Sequence, residues 1–468
     1  MSHLESTLAR EKTIAAPWTL LAVLGAALVL ALPALWNGYP LVYYDSVDYV
    51  IMPFSWDMPI YRTGAYGVFS LTARLTHSLW GPVVVQSLIV AYVLHEAFRL
   101  FTPTIANRAL IVGTLLLSVV SGLPWVTSEI MPDAFTGVVV LATLVLAFHD
   151  GSLPRYRSAA LVAILAVATA VHTSHFAILG GLIVCLHAAK WAVRLGIPVL
   201  LPKLRMVLVG FVVALGVATG SNWLMTGRPF LMQPSAVLTL GLLVQDGLAK
   251  QYLDEVCRKP GPDKPRLCMA RNRLPDNANA FIWHDPDFWK LGGWSGIEGE
   301  AHRIVDGCLS RYPFTYAWTS VKLMFSQLAM VETGDGMTPM QHFIGHAIRD
   351  YYPREMTAFS NARQQADIDF SAANSVQVPA EIASFILLFP LIWFAWRQRD
   401  RLSLTVASLV LLALLGNAFV CGALSNPNDR YQNRIVWVAI LTLGVGGLRL
   451  KEASGDGSAN RSRYEVAS

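Results

Sequence analysis

The sequence predicts an all-α protein that crosses a membrane many times. Hydrophobic residues make up 54% of its 468 residues and charged residues only 14%, whereas charged residues make up about a quarter of a typical soluble protein. A helix needs about 20 apolar residues to cross a bilayer, and the sequence contains several uncharged runs of about that length. The net charge of +5 fits Lys and Arg in cytoplasmic loops, which orient membrane proteins. The sequence has no basic tract long enough to bind nucleic acid, so we expect no nucleic-acid partner.

The first predicted helix covers about residues 16 to 36. No charged residue lies between Lys12 and Asp45, and the N-terminus lacks the small-residue cleavage site of a signal peptide, so we expect this helix to be retained. It exits to the outside, where residues 37 to 78 form the first outer loop. Helices at about 79 to 98, 109 to 127 and 134 to 149 then cross the membrane in alternating directions. We place the basic turns at their inner ends in the cytoplasm.

Residues 158 to 189 carry no formal charge. As one helix they would span about 48 Å at about 1.5 Å per residue, which exceeds the hydrocarbon core of a bilayer. A break at His172-Thr173-Ser174-His175 predicts a hairpin of two shorter helices and keeps the basic segment 190 to 205 inside. The alternative is a single tilted helix.

A helix at about 206 to 226 leads into the hydrophilic residues 227 to 376, which the alternation places outside. Helices at about 378 to 396, 402 to 424 and 435 to 449 follow. The sequence therefore predicts about ten transmembrane helices, within a range of about nine to twelve, with both termini cytoplasmic. The chain divides into an N-terminal membrane module (1–226), an outer region (227–376), C-terminal helices (377–450) and a Ser/Gly-rich tail (451–468) that we expect to be disordered.

Two features stand out within the outer region. The apolar stretch from Phe314 to Val331 contains Lys322 and predicts a helix that lies on or dips into the membrane surface, with a true span as the alternative. Cys257 and Cys268 can form a small disulfide if the region faces an oxidising compartment. Cys308 would then remain as an odd thiol.

The first candidate site residues lie in the first outer loop. Asp45 and Asp48 are three residues apart, a spacing that places both on one face of a helix, where they can share a proton or a cation. The alternative is that they solvate and cap a short helix. Tyr44, Arg62 and Tyr66 belong to the same loop, and we expect them to bind the substrate or its phosphate beside the two carboxylates.

Two further pairs of candidates belong to short loops on the same side. Glu129 and Asp133 lie just before the fourth helix, and we expect them to contact the substrate or its phosphate. The alternative is a helix cap, because acidic groups are favoured at helix N-termini. His172 and His175 are three residues apart. They can bind a metal on one helical face or hydrogen-bond a phosphate, and the alternative is a structural role for each.

Arg430 and Arg434 lie at the start of the last predicted helix, four residues apart and on one face. The forked guanidinium suits a phosphate because it donates two parallel hydrogen bonds. The alternative is a collar of positive charge at the lipid headgroups. Lys and Arg are usually on the cytoplasmic side, so the predicted outer position of these two arginines needs a reason. Contact with a phosphate would supply that reason.

The order of these features resembles the GT-C superfamily of membrane glycosyltransferases, which includes protein mannosyltransferases and aminoarabinose transferases. Asp45 and Tyr49 after the first helix, followed by Arg62-Thr63-Gly64-Ala65-Tyr66, are similar to the family's aspartate loop and its Arg/Tyr turn. The stretch from Glu129 to Asp133 resembles the family's second acidic site. The resemblance covers residues 16 to 200, and Thr63-Gly64 stands where a proline often precedes the tyrosine, so subfamily and substrate stay open.

The resemblance implies a transferase of a bacterial inner membrane that moves a sugar from a polyprenyl-phosphate donor to a glycan, lipid or protein acceptor on the periplasmic face. Asp45 and Asp48 would be its catalytic residues. Whether a divalent metal ion, Mg or Mn, is a cofactor stays open. Its candidate ligands are Asp45, Asp133 and His175. The alternative is a transporter or flippase of a lipid-linked or small solute. A transporter places ionisable groups within its spans, where this sequence has few.

Overall fold

The structure, a computed structural model, describes residues 17–149, 153–233, 236–258 and 264–465, with side chains up to residue 451. The described residues form helices and no β-strand, which confirms the all-α prediction. Six helices are long and apolar enough to cross a membrane, which confirms the membrane character. They are α6 (Trp80–Phe101), α11 (Thr173–Arg194), α12 (Arg205–Thr226), α20 (Ser371–Gln398), α21 (Arg401–Ala418, extended by a π-helical turn to Ala423) and the first part of α22 (Asp429–Glu465).

The other helices of the N-terminal module are shorter. The chain begins with an apolar pair, and three short helices cross the first outer loop before α6. The remaining four connect α6 to α11. These helices are α1 (Pro17–Leu30), α2 (Leu32–Asn37), α3 (Ser46–Ser55), α4 (Gly64–Phe69), α5 (Leu71–Thr76), α7 (Ala106–Val120), α8 (Leu123–Ser128), α9 (Phe135–Phe148) and α10 (Arg155–Ala170).

The predicted break in the long uncharged run is confirmed. Helix α10 ends at Ala170 and α11 begins at Thr173. His172 has extended backbone, and its side chain accepts a hydrogen bond from the Ser174 N–H. A side chain that satisfies a free N–H at the start of a helix favours initiation at that point. The run therefore forms two helices, α10 and α11, instead of one long tilted helix.

The outer region has a hydrophobic core of its own. Helices α13, α14 and α16 surround it, and the predicted disulfide between Cys257 and Cys268 is present, while Cys308 is a buried free thiol. Tyr61 of the first outer loop packs against Trp283 and Trp294 of this core. The helices of the region are α13 (Ala236–Gln245), α14 (Leu248–Val256), α15 (Pro286–Lys290), α16 (Gly293–Arg311), α17 (Pro313–Ala329), α18 (Gln341–Tyr351) and α19 (Met356–Ser360).

Helix α17 is the apolar stretch that the sequence predicts at the membrane surface. It packs against the turn that follows α21. Phe314, Trp318 and Phe325 point away from that contact and are 89%, 64% and 59% exposed. A stripe of exposed aromatic side chains on one helix face is typical of contact with an apolar medium.

The tail differs from the sequence prediction. Where we expected disorder from residue 451, helix α22 continues to Glu465. Extending a helix that already exists adds about one hydrogen bond for each residue fixed, whereas starting a new one is unfavourable. The packed part of α22 therefore supplies the nucleus that a Ser/Gly-rich sequence lacks by itself. Residues 466–468 lie outside the described residues.

Candidate functional site

Backbone hydrogen bonds join the first outer loop to the short loop that precedes α9. The Leu41 N–H donates to the Ser128 carbonyl at 3.0 Å, and the Ile130 N–H donates to the Leu41 carbonyl at 2.9 Å. The Ser46 hydroxyl donates to the Ile130 carbonyl at 3.0 Å. Together with an isolated parallel bridge between Leu41 and Glu129, these bonds hold the two acidic loops side by side.

Arg62 binds both carboxylates of the first loop. Its Nη1 donates to Asp45 Oδ2 at 3.0 Å and its Nε donates to Asp48 Oδ2 at 2.8 Å. Asp45 precedes α3 but makes no capping hydrogen bond with its side chain, so the capping alternative is wrong for Asp45. The cation that the two carboxylates share is the guanidinium of Arg62.

The two arginines at the start of α22 continue this arrangement toward the protein interior. Arg430 Nη1 lies 3.5 Å from Asp45 Oδ2, and Arg430 Nε lies 4.0 Å from Asp133 Oδ1. Arg434 Nη1 donates to Asp133 Oδ1 at 2.6 Å. Positive and negative groups therefore alternate along one path, which we name the charge cluster: Asp48, Arg62, Asp45, Arg430, Asp133 and Arg434.

Burial increases along the charge cluster. The side chains of Asp45, Asp48 and Arg62 are 21%, 16% and 15% exposed, while those of Asp133 and Arg434 are fully buried. Burying a charge costs several kcal/mol unless it is paired. Pairing explains why the deep end is tolerated, and the shallow end leaves Asp45 within reach of a ligand.

Several buried polar atoms beside this path have no hydrogen-bond partner among the described residues. They are Glu129 Oε1, Asp133 Oδ2, Arg430 Nε and Nη1, and Arg434 Nε. Buried polar groups are nearly always hydrogen-bonded, so a group of such atoms in one place points to a ligand. The guanidinium nitrogens among them are donors only, which suits an anionic ligand.

Aromatic rings enclose the charge cluster. Arg430 lies over the Tyr43 ring at 4.1 Å from the centroid, and Arg62 lies over the Tyr61 ring at 4.9 Å. Tyr44 is 45% exposed and packs against Tyr43 and Phe343, so it lies at the rim of the site. A cation over an aromatic face is stabilised by about 0.5 to 2 kcal/mol, which helps to fix both guanidinium groups.

Tyr66 does not bind the charge cluster as predicted. Its ring is fully buried, and its hydroxyl donates to Gln86 Oε1 at 3.3 Å. Gln86 in turn donates to the carbonyls of Thr127 and Glu129. Tyr66 therefore supports the loop that carries Glu129 from behind, and its role is indirect.

The histidines have structural partners. His175 is bonded on both sides of its ring, through Nε2 to the Thr136 hydroxyl at 2.8 Å and through Nδ1 to the Ala168 carbonyl at 2.6 Å. His172 is close to His175, with the rings 5.1 Å apart, and its Nδ1 accepts the Ser174 N–H. For both residues the structural alternative is the one that the contacts support.

The candidate metal set of Asp45, Asp133 and His175 is not assembled. Among the described residues, no group of three or more His, Cys, Asp and Glu side chains could hold a metal ion. Arg430 lies between the two aspartates, and His175 has no free ring nitrogen. The prediction that these three residues form a metal site is therefore wrong.

The carboxyl groups differ in protonation. Burial tends to raise the pKa of Asp45, but Arg62 and Arg430 outweigh it, so this pKa lies below its usual value. Burial raises the pKa of Glu129 to about 8, and the neighbouring charge of Asp133 adds to the shift. Near pH 7 the site thus holds an ionised Asp45 that can accept a proton and a neutral Glu129 that can donate one.

The raised pKa of Glu129 predicts a pH-dependent stability. Between the ordinary pKa of about 4.5 and the folded value of about 8, the folded state binds the proton that the unfolded state has lost. Stability therefore falls as the pH rises through this window. Glu129→Gln keeps a neutral side chain of the same shape, so its melting temperature in detergent should depend less on pH than that of the wild type. The exposed Glu332→Gln serves as the control, and an unchanged pH profile in Glu129→Gln would contradict the assignment.

Sequence reasoning missed Tyr43 and Tyr61, whose rings lie against the two guanidinium groups, and it also missed Asp335. Its Oδ2 accepts the Arg430 N–H at 3.3 Å, and it lies between Gly334 and Gly336, which both have positive φ angles of 97° and 71°. A side chain at Gly336 would collide with the ring of Tyr43. The Gly-Asp-Gly sequence is a turn signal, but nothing local indicates that this turn lies against the first outer loop.

Comparison with known proteins gave no match: no family model fits the chain, and no curated sequence and no solved structure is similar to it.

Proposed function

We propose that the protein is a GT-C-type glycosyltransferase that moves a sugar from a polyprenyl-phosphate donor to an acceptor at the outer face of a bacterial inner membrane. In this proposal ten helices cross the bilayer. The six long spans are joined by the pair α1–α2, the pair α7–α8, α9 and α10, which lie where the sequence predicts the other four. The observation that supports the proposal most is the charge cluster itself, which assembles at one end of the bundle from three distant segments.

The basic turns gather at the other end of the bundle. Arg449, near the end of the apolar part of α22, donates to the Phe101 carbonyl at the end of α6 and pairs with Asp400, which precedes α21. The Lys203 backbone N–H donates to the Ala147 carbonyl in the last turn of α9, and Lys203 Nζ donates to the His149 carbonyl just after that helix. An excess of Lys and Arg indicates the cytoplasmic side, so the proposal places the charge cluster outside.

The disulfide supports the same orientation. Cys257 and Cys268 belong to the outer region, and disulfides persist in oxidising compartments outside the cytoplasm. This region also bonds directly to the first outer loop. Glu355 accepts hydrogen bonds from the Tyr39 hydroxyl at 2.7 Å and from the Leu79 N–H at 3.2 Å.

The proposed reaction assigns Asp45 as general base. Its carboxylate takes the proton of an acceptor hydroxyl while the acceptor oxygen forms a bond to the anomeric carbon of the sugar. The bond from that carbon to the phosphate oxygen breaks, and the electron pair leaves with polyprenyl phosphate. General base catalysis of this kind contributes about 10² to 10⁴-fold to a rate. Asp48 and Asp45 both pair with Arg62, and Asp48 holds the Arg62 side chain in place.

Arg430 and Arg434 would hold the donor's phosphate. Arg430 has two guanidinium nitrogens without a hydrogen bond, and Arg434 has one. Because Glu129 is neutral near pH 7, it adds no negative charge that would repel the phosphate. A phosphate bound to Arg430 would also weaken that cation's hold on Asp45, which would raise the pKa of the base and make it a better proton acceptor.

The acceptor and sugar would lie at the shallow end of the charge cluster, beside exposed aromatic rings. Tyr44 is exposed at the rim, and Trp283 of the outer region is 39% exposed. Aromatic faces of this kind present a flat apolar surface to a ligand.

A transporter or flippase is the second candidate function. One observation favours it: Glu381 is fully buried within α20, and a carboxylate inside a span often marks an ion pathway. However, Glu381 Oε1 accepts the Gly122 N–H at 3.0 Å, which gives it a structural role at the start of α8. The charged side chains converge at one end of the bundle and not along its spans. We therefore favour the transferase over the transporter.

Turnover of a panel of donors tests the proposal. Purified protein is incubated with polyprenyl-phosphate-linked hexoses and pentoses together with cell-envelope glycans, lipids and proteins as acceptors, and release of polyprenyl phosphate is measured. We expect release from at least one donor. No release from any donor, together with uptake of the same sugars or lipids in proteoliposomes, would favour the transporter instead.

Cysteine labelling tests the orientation separately. Asn272 of the outer region is exposed, so Asn272→Cys should react with an impermeant maleimide in intact spheroplasts. Thr104→Cys, which is exposed at the opposite end, is the matched control and should react only after lysis. The reverse pattern would contradict the proposed orientation.

A further inference from the structure

Four aromatic side chains meet where the outer region touches the first outer loop, and we name them the aromatic platform: Tyr61, Trp283, Trp289 and Trp294. The ring centroids of Trp283 and Trp294 lie 5.3 Å apart, and the Tyr61 centroid lies 5.2 Å from the first and 5.1 Å from the second. Trp289 Nε1 donates to the Trp283 carbonyl at 3.2 Å. The four side chains therefore form one connected group.

Two rings of the aromatic platform face outward on a packed support. Trp283 and Trp289 are 39% and 50% exposed, whereas Trp294 is 6% exposed and belongs to the core of the outer region. Gly293 has a φ angle of 59° and lies against the Trp289 ring, where a side chain would collide. Tryptophan is highly buried on average, so two exposed rings held by a rigid core form a preorganised surface for a ligand.

The surroundings of the aromatic platform are charged and face water. Asp287, which lies between Trp283 and Trp289 in the sequence, pairs with Arg273 at 2.8 Å and with Lys290 at 3.6 Å. The side chains of Arg273 and Lys290 are 65% and 75% exposed. Charged groups are costly inside the hydrocarbon of a bilayer, so we expect the two exposed rings to face water and not lipid chains.

Trp294 contributes a hydrogen-bond donor beside these rings. Its Nε1 has no hydrogen-bond partner among the described residues, although its ring is buried. A buried indole N–H usually has an acceptor. A hydroxyl group of a bound sugar is such an acceptor, whereas a hydrocarbon chain has none.

The aromatic platform adjoins the shallow end of the charge cluster. Arg62, which binds Asp45 and Asp48, lies over the Tyr61 ring at 4.9 Å from the centroid. Tyr61 in turn contacts the ring of Trp283. A ligand stacked on Trp283 therefore has a path along Tyr61 toward Asp45, the proposed general base.

We infer that the aromatic platform binds a glycan, so that the acceptor in the proposed transfer, on which this inference rests, is a carbohydrate and not a lipid or a protein. Sugar rings have flat faces of C–H groups and a rim of hydroxyls, and ligand sites commonly combine aromatic surfaces with a few polar groups. The charges beside the platform pair with one another, which suits a neutral ligand. A sheet edge, one of the usual docking sites of an extended peptide, is absent from the described residues.

Binding of fluorescently labelled chitotetraose and maltotetraose, two neutral oligosaccharides, to the full-length protein tests the inference. The detergent has no sugar headgroup, because such a headgroup would compete. We expect saturable binding of at least one probe. Trp289→Ala should lower its affinity by about tenfold or more, as truncation of a tryptophan at the centre of an interface does.

Two further variants serve as controls. Trp289→Phe keeps a flat ring and should bind the probe more tightly than Trp289→Ala. Trp318→Ala on α17 removes a tryptophan that is 64% exposed but lies outside the aromatic platform, so it should leave probe binding unchanged. In competition, unlabelled oligosaccharide should displace the probe, whereas short-chain phosphatidylglycerol and tryptic peptides of envelope proteins should not.

Four results would overturn the inference: no binding of either probe by the wild type, equal binding by the wild type and Trp289→Ala, an equal loss in Trp318→Ala, or displacement by the lipid or the peptides. Transfer to a lipid or protein acceptor without glycan binding would also contradict it and would leave the proposed function standing. Glycan binding without turnover of any donor would contradict the proposed function and leave the aromatic platform as a glycan-binding site.

Discussion

Asp45→Asn is expected to stop sugar transfer while the protein stays folded and binds its donor. The substitution keeps the shape of the side chain but removes the negatively charged carboxylate oxygen that accepts the proton. Loss of a general base typically lowers a rate by about 10² to 10⁴-fold. Arg62 keeps its bond to Asp48, and Arg430 keeps Asp133 as a neighbour, so neither cation is left without a carboxylate.

The control for this variant is Asp57→Asn. Asp57 belongs to the same loop and is exposed, so its loss should leave turnover normal. The measurement is the initial rate of polyprenyl phosphate release at matched protein levels, with donor binding measured in parallel. Normal turnover by Asp45→Asn would show that Asp45 is not the base and would make Glu129 or Asp133 the next candidate.

The second large effect is expected from Arg434→Met. Arg434 and Asp133 are both fully buried and lie 2.6 Å apart. Arg434→Met leaves buried Asp133 with only the more distant Arg430, at 4.0 Å, and removing one partner of a buried ion pair costs about 3 to 5 kcal/mol. The double variant Asp133→Asn with Arg434→Met lacks the Asp133 carboxylate, so it should recover much of the stability that the single variant loses.

Arg449→Met is the matched control on the same helix. Arg449 pairs with Asp400 at 3.2 Å, but its side chain is 31% exposed. Exposed ion pairs are typically worth less than about 1 kcal/mol, so this substitution should change the free energy of unfolding little. Denaturation of the four proteins in detergent gives the comparison. A loss no larger for Arg434→Met than for Arg449→Met would contradict the interpretation of the charge cluster as a strongly coupled buried network.

The spans were largely predictable because they depend on local composition. A run of residues without charge sets the length of a span, and Lys or Arg sets its end, so α6, α12 and α21 lie close to their predicted ranges. The break at His172 was predictable for the same reason, since the uncharged run is much longer than the about 20 residues that one span needs. The continuation of α22 beyond residue 451 was not, because it depends on a helix nucleus packed elsewhere.

The site was only partly predictable. Spacing placed Asp45 and Asp48 on one face, and Arg430 and Arg434 on another, but it does not show which side chains meet. The pair of Asp133 and Arg434 joins residues 301 positions apart. The resemblance to the Arg/Tyr turn points to Tyr66, and the three-residue spacing from His172 points to His175. Tertiary contacts instead turn their polar atoms toward Gln86 and the Ala168 carbonyl.

In the proposed reaction the donor's phosphate binds at Arg430 and Arg434 beside Asp45. Crosslinking with a photoreactive polyprenyl phosphate, followed by peptide mapping, locates that phosphate. We expect adducts in the first outer loop, residues 37 to 78, and in the first turns of α22, and fewer adducts when Arg430 and Arg434 are replaced by Lys, which lacks the forked geometry. Adducts confined to the basic end near Lys203 and Arg449, or adducts unchanged by the Lys replacements, would contradict this binding site.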